Sequence, residues 1–145
     1  MMAPYSCLLL VILTGLYTYT LAQTTTAPFA VRLVNGVTNS SGRVEVFHAR
    51  EWGTVCDDIW GNDDALVVCR MIGYSHAQSV GAAYFGAGTG SIWMDNVRCD
   101  GSEQSLEECQ FDGWGTHNCD HSEDAGVICF TGNLGNLYYN NLLSL

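Results

Sequence analysis

The sequence predicts an α+β domain stapled by disulfides, on three observations. Residues 62–73 carry helical periodicity. Short runs at 43–48, 51–56, 92–99 and 127–130 have strand character. Six cysteines lie between Cys56 and Cys129, in a chain that reads as exported.

Residues 1–31 hold no charged side chain. Cys7 to Leu16 is a short apolar run, and Thr20, Leu21 and Ala22 precede Gln23. This pattern predicts a secretory signal peptide, residues 1–22, cut after Ala22. The amino terminus itself must supply the positive charge that Lys or Arg usually gives. A membrane anchor is the bland alternative, but the run is short of the ~20 apolar residues a span needs. Export places the cysteines in an oxidising compartment. Cys7 leaves with the signal; Cys56, Cys69, Cys99, Cys109, Cys119 and Cys129 remain. An even count predicts disulfides, and six cysteines allow about 15 pairings that spacing does not resolve.

The remaining 23–145 is the length of one domain. It carries five Arg, no Lys and fifteen acids, for a net charge of −10. That balance argues against nucleic acid and against direct insertion into an anionic membrane. It favours cations, basic proteins, or anions reached through a bound metal.

Residues 23–30 read as a Thr-rich linker suited to O-glycosylation. Asn39, Ser40 and Ser41 form an N-glycosylation sequon ahead of Gly42, in a turn. From Arg43 to His48 the residues alternate: Val44, Val46 and His48 on one face, Arg43, Glu45 and Phe47 on the other. Glu51 to Cys56 is the next strand, with Ala49 and Arg50 in a hairpin turn. The helix at 62–73 has Asn62 or Asp63 to cap it and acids in its first turn. Ala65, Val68, Cys69 and Ile72 recur at one-face spacing, so Cys69 faces the core, and Gly73 suits the C′ position. Gly86 to Gly90 reads as a plain turn. It lacks the Lys-Ser/Thr of a phosphate loop. Residues 92–99 read as a strand, 102–109 as a short helix or turn, and 127–130 as the last strand. The uncharged tail, 131–145, is too short to span a membrane and reads as a disordered end or a truncation point.

These runs together resemble the scavenger receptor cysteine-rich (SRCR) domain. The resemblance is carried by 31–36, 42–46, 52–58, 65–70, 92–99, 113–119 and 121–129. It covers 31–130 in order. Ser41 and Tyr74 stand about where an eight-cysteine group has its extra pair, so the chain is similar to the six-cysteine group A. The resemblance implies Cys56–Cys119, Cys69–Cys129 and Cys99–Cys109. It also implies a curved antiparallel β-sheet cradling one main α-helix.

Three chemistries compete for the residues near Cys119. His117, Cys119 and His121 would share one face of a strand, an arrangement that resembles a zinc ligand set. Zinc needs a free thiolate, however, and would leave one of the other five cysteines unpaired. Hydrolysis has no Gly-x-Ser-x-Gly or His-Glu-x-x-His to support it, so no catalytic residue is expected. The third chemistry is calcium. The bland reading of the acids is a solvated surface. The resemblance implies a cation site at Asp57, Asp58 and Glu123, and a second at Asp95 and Asn118. Asn96 stands where many members have Asp, which weakens the second. The implied Cys56–Cys119 bridge would bring Asp57, Asp58 and Glu123 within reach of one ion, provided the chain leaves strand geometry after Cys56. Trp52, Trp60, Trp93 and Trp114 read as structural, with a half-buried one near the acids a candidate ligand contact.

The expectation is therefore a secreted, non-enzymatic binding module. Its partners would be polyanionic ligands or extracellular proteins, its cofactor weakly held calcium, and its role innate recognition or scavenging. The alternative is an accessory domain of a larger receptor or enzyme of protease or amine-oxidase type. The chain would then be a short isoform, a partial product, or the ectodomain of a longer membrane protein.

Overall fold

The computed structural model describes residues 28–132. The expected signal segment, most of the linker and nearly all of the tail lie outside the described residues. Six strands and one helix follow in the order β1 (Ala30–Val34), β2 (Ser41–His48), β3 (Glu51–Val55), α1 (Asn62–Met71), β4 (His76–Val80), β5 (Ile92–Met94) and β6 (Gly126–Phe130). Two short 3-10 turns sit at Leu106–Glu108 and His121–Glu123. The strands form one sheet in the order β4-β6-β2-β3-β5, with β1 against β2.

The fold is α+β, with a mixed rather than wholly antiparallel sheet. β5 runs parallel to β3, pairing Ile92 with Thr54 and Met94 with Val55. The other pairs are antiparallel. The parallel pair matters because it delivers the ends of β3 and β5 to the same edge. Cys56 then donates its N–H to Met94 O at 2.8 Å.

The hairpin between β2 and β3 turns on Ala49 and Arg50, both with positive φ (48° and 71°). Two central residues of positive φ match the right-handed twist of the strands they join. On β2 the alternation reads correctly on one side, where Val44 and Val46 are fully buried. The other side differs: Arg43 and Glu45 are also buried, at 6% and 7% exposure. Opposite charges that neutralise each other can occupy an interior that neither tolerates alone.

The helix begins one residue earlier than its expected caps. Gly61 is the N-cap, and the Asp64 carboxylate accepts the Gly61 N–H at 2.8 Å. The same carboxylate accepts Cys99 N–H at 2.8 Å, tying the helix start to the 99–109 loop. Burial pushes the Asp64 carboxyl up, against the pull of these two bonds. Asn62 instead accepts from Ser79 N and Oγ, at 2.9 and 3.1 Å, and so holds β4. Ala65, Val68 and Cys69 are wholly buried, and Ile72 half-buried, as the spacing expects. Gly73 follows the helix at φ +93°, the left-handed conformation a C′ glycine supplies.

Two elements shorten relative to expectation, and three were not expected: β1, β4 and the 3-10 turn at His121–Glu123. The 92–99 strand stops at Met94, because the chain turns through Asp95 and Asn96 (φ +53°). The 102–109 segment is helical only at Leu106–Glu108. β4 was not expected, since His76-Ala-Gln-Ser-Val80 has neither alternation nor strong strand formers. Its five-residue register with β6 makes it a strand. The 3-10 turn at His121–Glu123 was not expected either; Asp120 caps it by accepting Ser122 N–H at 2.7 Å.

The core joins Val44, Val46, Val55, Val67, Val68, Met94, Leu106 and Val127. A second, aromatic cluster closes the other end of the sheet. His48 stacks on Trp114 at 3.9 Å and meets Trp93 edge-on at 4.9 Å. Phe29 and Phe111 pack on Trp114 at 6.0 and 5.0 Å. Gly53 must be glycine here, because the Trp93 ring covers the place a Cβ would take. Three disulfides lock the layers: Cys56–Cys119, Cys69–Cys129 and Cys99–Cys109, with Cα separations of 6.2, 5.5 and 4.7 Å. These are the pairs the family resemblance implies.

Candidate functional site

The acids of interest gather where β3 and β5 end. Asp57 and Asp58 follow Cys56 and leave strand geometry in a turn closed by Trp60 N–H to Asp57 O, 3.0 Å. Asp95 follows β5. Asp58, Asp95 and the Cys56–Cys119 sulfurs form one group, each offering an atom within 4.8 Å of the others. Two ligands of one calcium ion, each at roughly 2.4 Å, are at most about 4.8 Å apart, so this spacing fits a shared cation. The disulfide sulfurs are not thiolates and do not count as ligands. The site is therefore two carboxylates on a disulfide floor.

Asp95 is 1% exposed. Its oxygens accept Asn96 N–H at 2.6 Å and Asn118 N–H at 3.4 Å. Among the described residues neither Asp58 nor Asp95 forms an ion pair. Two carboxylates this close repel each other whenever both carry charge. A cation between them removes that cost. The Asn118 Oδ1 lies 3.7 Å from Cys119 Sγ, at the margin of the same group.

The two expected sites thus meet differently from the expectation. Asp57, Asp58 and Glu123 do not form a group with ligand atoms within 4.8 Å. Their backbones are joined, Asp57 N–H to Glu123 O at 2.7 Å, but their carboxylates bond different backbone groups. Asp57 Oδ2 accepts the Ala82 N–H. Glu123 Oε2 accepts Asp120 N–H at 2.9 Å. Asp57 spends one carboxylate oxygen on the distant 81–84 turn and Glu123 one on its own turn. Asp58, assigned to the first site, sits with Asp95 of the second. Asn96 is turned away, donating to Asp112 at 3.0 Å.

An open cleft of about 460 Å³ lies on the far side of Cys119, lined by Ser91, Trp93, His117, Asp120 and His121 among others. It is no zinc site. Cys119 is bonded to Cys56, and His121 faces Asp124 at 3.2 Å and Gly90 O at 3.1 Å through its two nitrogens. Asp124, which with Asp57, Asp58 and Glu123 had the bland reading of a solvated acid, is instead buried at 1% exposure. It accepts Gly88 N–H at 2.6 Å and lies 4.0 Å from Arg43 Nε. Arg43 also donates to Gly86 O at 2.6 Å. The glycine-rich turn is thus held at Gly86, Gly88 and Gly90, by three side chains from two elements. Of the tryptophans, Trp60 donates to Gly126 O at 3.1 Å, Arg32 lies over Trp52 at 4.3 Å, and Trp93 lines the cleft.

The family model for the scavenger receptor cysteine-rich domain matches residues 34–130. The chain belongs to the SRCR family. The mouse (Mus musculus) macrophage receptor MARCO is 52% identical over 99 residues, covering 68% of this chain and 18% of the receptor. The Bos taurus macrophage scavenger receptor types I and II is 56% identical over 102 residues, covering 70% of this chain and 22% of the receptor. The SRCR chain thus spans about a fifth of the length of these relatives. Two crystal structures share its fold. The third SRCR domain of murine neurotrypsin matches at TM-score 0.68 and 50% identity, over 73% of this chain and all of that one. The dimeric form of the SRCR domain of mouse MARCO matches at 0.59 and 54%, over 61% of this chain and 85% of that one. The two sequence relatives are receptors, and the match to each covers one part of it. No helix among the described residues is long and apolar enough to cross a membrane.

Proposed function

We propose that this SRCR domain is an extracellular ligand-binding module that holds calcium and uses it to capture polyanionic ligands. The observation that carries this is the pair Asp58 and Asp95, close together, one of them buried, and without a basic partner. In this reading Asp58 and Asp95 hold the ion, with Asn118 at the margin. Asp57 and Glu123 contribute their free oxygens only if their side chains rotate. Calcium takes six to eight oxygens, so most positions are left to water and to the ligand's own anionic groups. That is how a chain of net charge −10 binds a polyanion. Affinity for calcium is expected on the order of 10⁻⁴–10⁻³ M.

The test is thermal melting of wild type, Asp58→Asn and Asp95→Asn with and without millimolar calcium, alongside binding of dextran sulfate. Calcium is expected to raise the wild-type Tm and to permit dextran sulfate binding. Each Asn variant should be more stable than wild type without calcium and lose both responses. An equal calcium shift in all three proteins would refute the placement.

The sequon supports the same extracellular reading. Asn39 is exposed in the turn between β1 and β2, beside the fully presented Val37. Product from eukaryotic cells is expected to carry glycan there. A glycosidase-sensitive mobility shift that disappears in Asn39→Gln checks it.

The share of the relatives that the chain covers favours a second reading at the level of the whole protein. The module would act as one part of a longer receptor. A transcript that continues past Leu145 into another domain would establish it.

A further inference from the structure

Two turns next to the acids carry exposed apolar side chains on backbone that ordinarily calls for glycine. In the turn Asp57–Trp60 the third residue is Ile59, at φ +57° and 56% exposed. A β-branched residue is a rare occupant of that conformation; glycine or asparagine is usual. The second turn runs from Gly81 to Tyr84 and is closed by Tyr84 N–H to Gly81 O at 3.1 Å. Both its central residues are left-handed, Ala82 at 51° and Ala83 at 46°, where Asn-Gly is the favoured pair. It presents Tyr84, 68% exposed.

The turns are built as one unit. The Asp57 carboxylate accepts Ala82 N–H, and a Cβ on Gly81 would collide with it. Both turns are also fastened to one stretch, 123–126. Asp57 N–H bonds Glu123 O at 2.7 Å, and Ala83 N–H bonds Asp124 O at 3.2 Å. Trp60 donates to Gly126 O at 3.1 Å, and the Phe85 ring lies against the same glycine. Ile59 and Tyr84 are therefore held in place before any partner arrives. Strain of this kind persists where the surroundings enforce it, and it clusters at functional sites.

We propose that the twin turns 57–60 and 81–84 are a protein-docking surface, with Ile59 and Tyr84 as its apolar anchors. The occupant is an extracellular protein segment that carries apolar side chains flanked by Lys or Arg. Charge decides the flanks. The turns carry Asp57 and Asp58 and adjoin Glu123, and no basic residue falls within either. The five arginines are elsewhere: Arg32 and Arg43 pair with Glu45, Arg98 lies near Asp112, Arg70 binds the 101–103 loop, and Arg50 is at the β2–β3 tip. Preformed apolar anchors set among opposite charge are the composition of an interface hot spot. This surface works without calcium, and so goes beyond the calcium reading above.

The test uses the full chain in EDTA and fluorescence anisotropy. The probes are a labelled decapeptide alternating lysine with leucine and phenylalanine, its lysine–serine counterpart and its glutamate–leucine counterpart. The first is expected to bind at least about tenfold tighter than either control. Ile59→Gly and Tyr84→Ala should each weaken it at least about tenfold. Ile59→Gly should melt at or above the wild-type Tm, because glycine fits φ +57°, and should keep the wild-type calcium shift. A protein made more stable yet less able to bind separates docking from folding. Equal affinity for the two lysine peptides, wild-type affinity in Ile59→Gly, or preference for the glutamate peptide would overturn the proposal. So would loss of dextran sulfate binding, with peptide binding intact, in Ile59→Gly. A calcium site that fails its own test leaves the peptide outcomes in EDTA unchanged.

Discussion

Replacing Cys69 and Cys129 together by alanine is expected to lower Tm by more than about 15 °C and to leave much of the domain unfolded at 37 °C. The bridge closes a loop of 60 residues in sequence. In the chain-entropy model such a cross-link stabilises by roughly 4 kcal/mol, and removing a native bridge from a small exported domain costs about 2–5 kcal/mol. At about 4–8 °C per kcal/mol for a domain near 100 residues, that is the drop stated. Position adds to the entropy. Cys69 is wholly buried on α1 and Cys129 is 3% exposed on β6, so the bridge ties α1 to the sheet through the core. Alanine also removes two sulfurs from close packing. The short bridge Cys99–Cys109 spans 10 residues, and its loss should cost less. Circular-dichroism melts of the two double variants, side by side, check both the size and the order. A drop under 5 °C for the long bridge, or a larger drop for the short one, would contradict this account.

Much of the fold was legible because its signals are local. The helix at 62–73 announced itself by the spacing of Ala65, Val68, Cys69 and Ile72, and the β2–β3 hairpin by alternation broken at Ala49 and Arg50. What was not legible depends on partners distant in sequence. His76-Ala-Gln-Ser-Val80 is a strand only because β6 lies beside it. Asn62 looked like a helix cap and is spent on Ser79 instead. The acids show the same division. That Asp57 and Asp58 leave strand geometry after Cys56 followed from the need to converge. Which carboxylates converge did not, because Asp95 arrives from β5 through a parallel pairing that no local pattern announces. The Asp57 carboxylate goes to Ala82, a backbone group 25 residues away. Arg43 and Glu45 carried the one overlooked signal. Two opposite charges at i and i+2 share a strand face, and here both are buried.

Substituting Arg43 by methionine should cost about 3–5 kcal/mol, the range for leaving buried charges without their partner. Arg43 bonds Glu45 at 2.8 Å and Gly86 O at 2.6 Å, and lies 4.0 Å from Asp124. The three side chains are 7%, 9% and 0% exposed, so water cannot take the place of the guanidinium. Arg32 still reaches Glu45 at 2.6 Å, but it is itself 48% exposed and a weaker substitute. The Gly86–Gly90 turn loses one of its three holds, so Gly88 N–H should exchange faster. Pairing Arg43→Met with Glu45→Leu should recover part of the loss, since a buried ion pair exchanged for apolar groups is often neutral. Acidity separates this from a packing defect. Burial alone pushes the Glu45 carboxyl up, but hydrogen bonds from Arg43 and Arg32 and their charges outweigh it, and its pKa lies below the ordinary glutamate value. A depressed carboxyl contributes stability that is full above the unfolded pKa and is lost as pH falls through the folded one. In Arg43→Met the burial is no longer offset from that side, so Glu45 takes up a proton at higher pH. Protonation there removes a buried charge in the variant while wild type is still losing its ion pair. The difference between the two proteins should therefore be largest near pH 7 and shrink toward pH 4. Urea unfolding at both pH values measures it, and an equal deficit at each would show that Arg43 acts by filling space rather than by charge.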